Sequence, residues 1–171
     1  MKITLAFSFI VFLIQPSFPQ KDCKTQFSST RLMSKTELLE LADTLLNIEF
    51  ETKYSIDSIP SFLMEFLVCY ADEFRIVNPD SPYQAGDAIV GDLPSRQLTY
   101  LKSTDEYLIL LYIHGGGSGW HRHVLIFNFS NKKILRFWNS YLEVYLKKRK
   151  KRLAYFFKSV RKNKNFLPDH F

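Results

Sequence analysis

Three of the chain's four histidines and four of its six glycines fall within sixteen residues, LILLYIHGGGSGWHRH, from Leu108 to His123. His121 and His123 are spaced i, i+2, so on a strand both imidazoles point to one face. A hairpin turn through the glycines would bring His114 opposite His121. Three neutral imidazoles with an open fourth position suit a catalytic or binding site for zinc or iron, and His114, His121 and His123 are the candidate ligands. An ordinary hairpin explains the same residues without a ligand: Gly115 to Gly119 would supply the positive φ angles of a flexible turn. Arg122 beside the histidines would repel a cation, and no acidic ligand stands near them in the sequence.

Two short resemblances bear on the stretch. YIHGGG resembles the oxyanion-hole segment of lipases and esterases of the α/β-hydrolase fold, where backbone N–H groups of a His-Gly-Gly-Gly turn face the developing oxyanion. That fold also implies a nucleophile elbow, G-x-S-x-G, further along. Here Ser118 lies in GGGSGW, with Trp120 in place of the second glycine, and only 57 residues follow His114. The chain has no room for the remaining strands and triad. GGGSGWHRH also fits the G-x5-H-x-H spacing of the first metal motif of cupins. The cupin pattern implies a Glu four or five residues on, where this chain has Phe127 and Asn128. The second cupin motif is missing.

The elements that must carry these residues are readable from periodicity. Ser34 and Glu37 make a capping box ahead of a helix over about 35–50, with Leu38, Leu41, Leu45 and Ile48 on its buried stripe. Pro60 suits the first turn of a second helix that runs toward Phe74. Between them lies a connection. Residues 78–95 hold three prolines and two glycines and read as a long loop, with room for one short strand at Ala88–Val90. Strands follow at 96–102, 107–114, 121–129 and 134–138, joined by short turns. Tyr107–His114 and His121–Phe129 are nearly continuous apolar runs, as in central strands covered on both faces. A final amphipathic helix reaches about 162, with Leu142, Tyr145, Leu146, Leu153, Phe156, Phe157 and Val160 on one stripe. The fold class is α+β: two N-terminal helices, a four- to five-stranded antiparallel meander and a basic C-terminal helix, with the helices packed on one sheet face.

The 171 residues are 46% apolar and include sixteen Phe, enough for one domain with a real core. We read residues 34–163 as that domain, 21–33 as a loose N-terminal segment and 164–171 as the C-terminal end. Residues 1–20 read as a secretory signal peptide: Lys2, an apolar run Ile3–Ile14 too short to span a bilayer, then Pro16. An oxidising destination, secreted or periplasmic, lets Cys23 pair with Cys69, closing a loop of about 46 residues. No transmembrane span is expected in the mature chain.

Charge is unevenly spread. Ser140–Phe171 carries +8, while the preceding 139 residues carry −2. The run Lys147, Lys148, Arg149, Lys150, Lys151 and Arg152, flanked by Tyr145 and Tyr155, suits contact with an anionic surface or an acidic protein. A leader makes nucleic acid an unexpected partner. The sequence therefore points to an exported, non-enzymatic binding or inhibitor-like protein without a cofactor. Its loop 78–95 and glycine hairpin would form a recognition edge. Periplasmic immunity proteins are an analogy of size and address only. Two other functions are expected to compete with it: a zinc- or iron-dependent protein using the three histidines, and a protein held on an anionic surface by its tail.

Overall fold

Ser34 opens the first helix by the reciprocal cap that its spacing from Glu37 implies: its Oγ accepts from the Glu37 N–H, and the Glu37 carboxylate accepts from the Ser34 N–H. A computed structural model describes the chain at residue 23 and over 27–71, 74–86, 91–116, 119–141 and 152–162. The expected leader, the expected strand at Ala88–Val90, the run Lys147–Lys151 and residues 164–171 lie outside these residues, as does the side chain of Arg152.

Helix α1 spans Lys35–Asn47 and buries Leu38, Leu41, Ala42 and Leu45. It stops three residues before the periodicity does. Ile48 turns extended, and Glu51–Lys53 become strand β2, antiparallel to Leu101–Ser103. Sheet pairing thus begins directly after the apolar stripe, in the stretch the sequence reads as a connection. Helix α2 spans Ser61–Tyr70, with Pro60 just outside it at the cap position. It ends before Phe74, whose ring packs edge-on against Tyr112 of the sheet.

Among the described residues the sheet has seven strands. The two-residue β1 (Arg31–Leu32) and β3 (Ile76–Val77) join β2 at its margins, and the centre is β4 (Arg96–Ser103), β5 (Tyr107–Gly116), β6 (Gly119–Ser130) and β7 (Lys133–Tyr141). The spatial order is β1-β7-β6-β5-β4-β2, with β3 also on β4. β4 to β7 form an antiparallel meander, while β1 and β3 pair in parallel with β7 and β4. Asn131 and Lys132 both take positive φ in the two-residue turn between β6 and β7, the geometry that matches strand twist. Residues 31–33 are therefore not loose: beyond the β1 pairing, the Met33 N–H donates to the Phe137 carbonyl at 2.7 Å, and Met33 is buried.

Helices cover both faces of the sheet, not one as the sequence suggested. Leu108, Leu110, Leu125, Phe127 and Phe137 pack with Leu63, Phe66 and Leu67 of α2. The alternate residues Ile109, Leu111, Val124, Ile126 and Trp138 pack with α1 and with α3 (Arg152–Lys162), which buries Phe156, Phe157 and Val160. The reason lies in β5 and β6 themselves: a strand apolar on both sides requires a cover on each. Arg161 of α3 pairs with Asp43 of α1 at 2.7 Å, tying the two helices of one layer together. Cys23 and Cys69 form a disulfide with Cα atoms 5.5 Å apart, linking the N-terminal segment to α2. Among the described residues no helix is long and apolar enough to cross a membrane.

Phe66 is fully buried and meets the rings of Phe27, Tyr70, Phe127 and Phe137. Phe66→Ala should cost about 3–5 kcal/mol, read as a lowered urea midpoint at unchanged slope. Ser34→Ala, which removes only the cap, should cost about 1 kcal/mol.

Candidate functional site

The β5–β6 hairpin outruns its neighbours. Pairing of β4 with β5 begins only at Arg96–His114, and pairing of β6 with β7 ends at His123–Tyr141. Beyond those registers the hairpin continues through Gly115–Trp120 to Gly116–Gly119. Its tip is steadied by the loop that precedes β4. The Gly115 N–H donates to the Ser95 carbonyl, the Gln84 N–H to the Pro94 carbonyl and Gln97 Nε2 to the Ser81 carbonyl, each at 2.8 Å.

The glycines serve two different purposes, which corrects the expectation that Gly115 to Gly119 all supply turn geometry. Gly115 and Gly116 are strand residues. At Gly115 an added Cβ would fall 2.0 Å from the Gln84 carbonyl oxygen and 2.9 Å from the Ala85 Cα. Loop backbone lies where a side chain would be, so only glycine fits. Gly119 has φ +119°, a conformation that side chains disfavour, and there the turn itself demands glycine.

Strand alternation then sorts the side chains of this end onto two faces. His114 stands opposite His121, Tyr112 opposite His123, and His123 opposite Tyr141. All three histidines therefore lie on the α2 side of the sheet. Trp120 and Arg122 lie on the other side, with the Arg122 guanidinium 4.7 Å above the Trp120 ring. Trp120, at 37% exposure, is open to solvent.

His123 is the buried member of the histidine group. Its ring stacks parallel on Tyr112 at 4.9 Å and meets Tyr141 at 4.6 Å and His114 at 5.7 Å. His121 is exposed and meets Tyr141 at 5.6 Å. Burial, followed by the charges of His114, Arg96 and His121, pushes the His123 pKa down to about 3. Asn139 lies near enough to favour the charged form slightly, yet neither ring nitrogen of His123 has a hydrogen bond of normal geometry. The pKa of half-buried His114 is lowered as well, by burial first and then by Arg96 and His121. At neutral pH His123 is therefore an uncharged imidazole.

Sheet register thus brings the three histidines to one face, as a shared site would require. Among the described residues, however, no group of three or more His, Cys, Asp or Glu side chains is gathered so that it could hold a metal ion. Arg96 is the residue that sequence reasoning passed over. It stacks on Phe74 at 4.8 Å and stands opposite His114 only because β4 pairs with β5 in this register, which no local pattern announces. The last strand, read from the sequence as 134–138, extends in β7 to Tyr141. Asp92 of the loop pairs with Arg75, which lowers its carboxyl pKa. No protein-family model, no curated protein and no solved structure matches the chain.

Two outcomes follow for stability. Gly115→Ala should destabilise by about 3 kcal/mol or more, because the new methyl overlaps backbone that has little freedom to retreat; the urea midpoint reads this. For His123 the unfolded state binds the proton near pH 6.5, while the folded state resists it down to about 3. Stability is then full above pH 6.5, falls as pH drops through this window and levels off below about 3. His123→Phe should flatten that decline and cost little at pH 7, since it removes two unpartnered buried nitrogens. Thermal melts of both proteins between pH 4 and pH 8, a range of about four units, test it.

Proposed function

We propose that the protein is an exported, non-enzymatic binding or inhibitor-like protein that meets its partner at the hairpin end of the sheet. One observation carries the reading: the backbone of Gln84 and Ala85 is seated on Gly115, so the long loop and the hairpin tip share one edge. Loops held by a rigid scaffold are where recognition concentrates. Exposed Trp120, stacked under Arg122, belongs to the same edge, and Trp and Arg are the residue types that anchor interfaces. Export is supported by the apolar N-terminal run and by the Cys23–Cys69 bridge.

A second reading, a zinc or iron protein, draws on the common face of His114, His121 and His123. The two readings part on direct measurements. The immobilised mature protein should enrich a specific partner from the exported fraction, with retention falling at least about tenfold for Trp120→Ala and unchanged for Leu135→Ala at a distant exposed site. Equal retention by both variants overturns the edge. Stoichiometric zinc or iron in the purified protein, with a melting temperature that drops on chelation, would replace the first reading by the second.

A further inference from the structure

Strand β2 closes one end of the strand order, and among the described residues nothing pairs with its outer side. An edge strand of this kind presents backbone N–H and C=O groups to any chain that can lie beside it. Its inner side is taken by β4: Glu51 stands opposite Ser103, Thr52 opposite Lys102 and Lys53 opposite Leu101. Alternation places Glu51 and Lys53 on the α2 side of the sheet, and Phe50, Thr52 and Tyr54 on the side of α1 and α3, where Phe50 packs on the core. Glu51 and Thr52 are exposed, and Tyr54 is half exposed. Glu51 Oε2 and Lys53 Nζ meet at 3.0 Å with 69% and 33% of their side chains in solvent, so both keep room for a second partner. Charges on an edge strand ordinarily turn another strand away. The order Phe-Glu-Thr-Lys-Tyr, from 50 to 54, makes one exception. Read backwards, it presents Lys where it has Glu, and an aromatic ring where it has one.

We propose that β2 is the contact through which two copies of this chain associate, antiparallel about a two-fold axis at Thr52, joining their sheets edge to edge. In that register Glu51 faces Lys53 of the second copy, Lys53 faces its Glu51, Thr52 faces Thr52 and Phe50 faces Tyr54. These are opposite-charge, Thr–Thr and aromatic cross-strand pairs, the kinds that stabilise an antiparallel ladder. Two strands that each bring one Glu and one Lys build a square of alternating charge, which keeps the ion pair within each strand and adds one across. A register shifted by one residue would set Phe50 against Lys53, and a parallel pair in register would set Glu51 on Glu51. Strand β1, at the other end of the order, offers only Arg31 and Leu32, and Arg31 is already held by Glu37. A contact built on a two-fold axis also closes at two copies, whereas β2 on β1 would run on from copy to copy. A contact of about five residues a side is small, so the association is weak and concentration-dependent. Strand β2 lies along Leu101–Ser103, the end of β4 away from Arg96 and the hairpin, so the dimer leaves both hairpin ends uncovered and pointing apart. The inference is independent of the binding-protein reading.

Sedimentation velocity of the mature, disulfide-bonded protein at pH 7, from about 10 µM to about 1 mM, reads the association, and amide NMR over the same series locates it. A monomer–dimer transition should fall within that range, with concentration-dependent shifts at residues 50–54 and none at 31–32. Glu51→Lys alone and Lys53→Glu alone each set like charges opposite one another and should raise the dissociation constant at least about tenfold. An equimolar mixture of the two single variants sets Lys on Glu throughout and should dimerise again. The double variant Glu51→Lys/Lys53→Glu, complementary to itself, should dimerise as the wild type does. Recovery in the mixture separates a lost contact from a damaged fold, because each chain is then unchanged from the test in which it failed. The proposal falls if the wild type stays monomeric to about 1 mM, or if the single variants associate as it does. It also falls if neither the mixture nor the double variant recovers, or if a dimer forms with its shifts at 31–32 or at Trp120 and not at 50–54.

Discussion

Strands β5 and β6 carry apolar side chains on both faces, and that constraint governs the rest of the structure. A sheet centre of this kind leaves two apolar surfaces, each of which costs roughly 25 cal/mol per Å² when left in water. Leu108, Leu110, Leu125 and Phe127 take α2 as their cover, while Ile109, Leu111, Val124 and Ile126 take α1 and α3. The chain supplies the two layers from different places. Helices α1 and α3 share one face, held together by Arg161 and Asp43, and α2 lies on the other. The disulfide fastens the N-terminal segment to α2. Short parallel strands at both margins occupy backbone groups that bare edges would leave open to other chains.

The same two central strands produce the candidate site by outlasting their cover. Where β4 and β7 stop, β5 and β6 go on, and the apolar alternation gives way to His, Gly, Trp and Arg. The side chains there keep the strand's two-face order. One face takes loop backbone against a glycine, beside the Trp120–Arg122 stack. The other takes a graded series from buried His123 to exposed His121. Burial and neighbouring positive charge hold His123 neutral, with the permanent cation of Arg96 close by.

The glycine-rich stretch shows how one residue type answers to two unlike demands. Positive φ at Gly119 is a local requirement of a tight turn, and a hairpin reading of the sequence anticipates it. The requirement at Gly115 is not local. It comes from Gln84 and Ala85, thirty residues earlier, pressed against the strand. Nothing within a few residues of Gly115 signals that contact.

Several parts of the structure were decided by the sequence alone. The Ser34–Glu37 cap, the helical stripes of Leu38–Leu45 and Phe156–Val160, and the turn at Asn131–Lys132 all depend on groups a few residues apart, and local periodicity expresses such interactions directly. The meander of β4 to β7 was legible for the same reason, since short turns leave neighbouring strands little choice but to pair. Tertiary structure decided which face each helix covers, that Glu51–Lys53 of the connection form a strand, and that Arg31–Leu32 join the sheet in parallel. It also set Arg96 beside His114 and made His123 the buried imidazole of the three. Those outcomes depend on register and contact between segments far apart in the chain, where a shift of one residue reverses every side chain's face and local pattern holds no record of the choice.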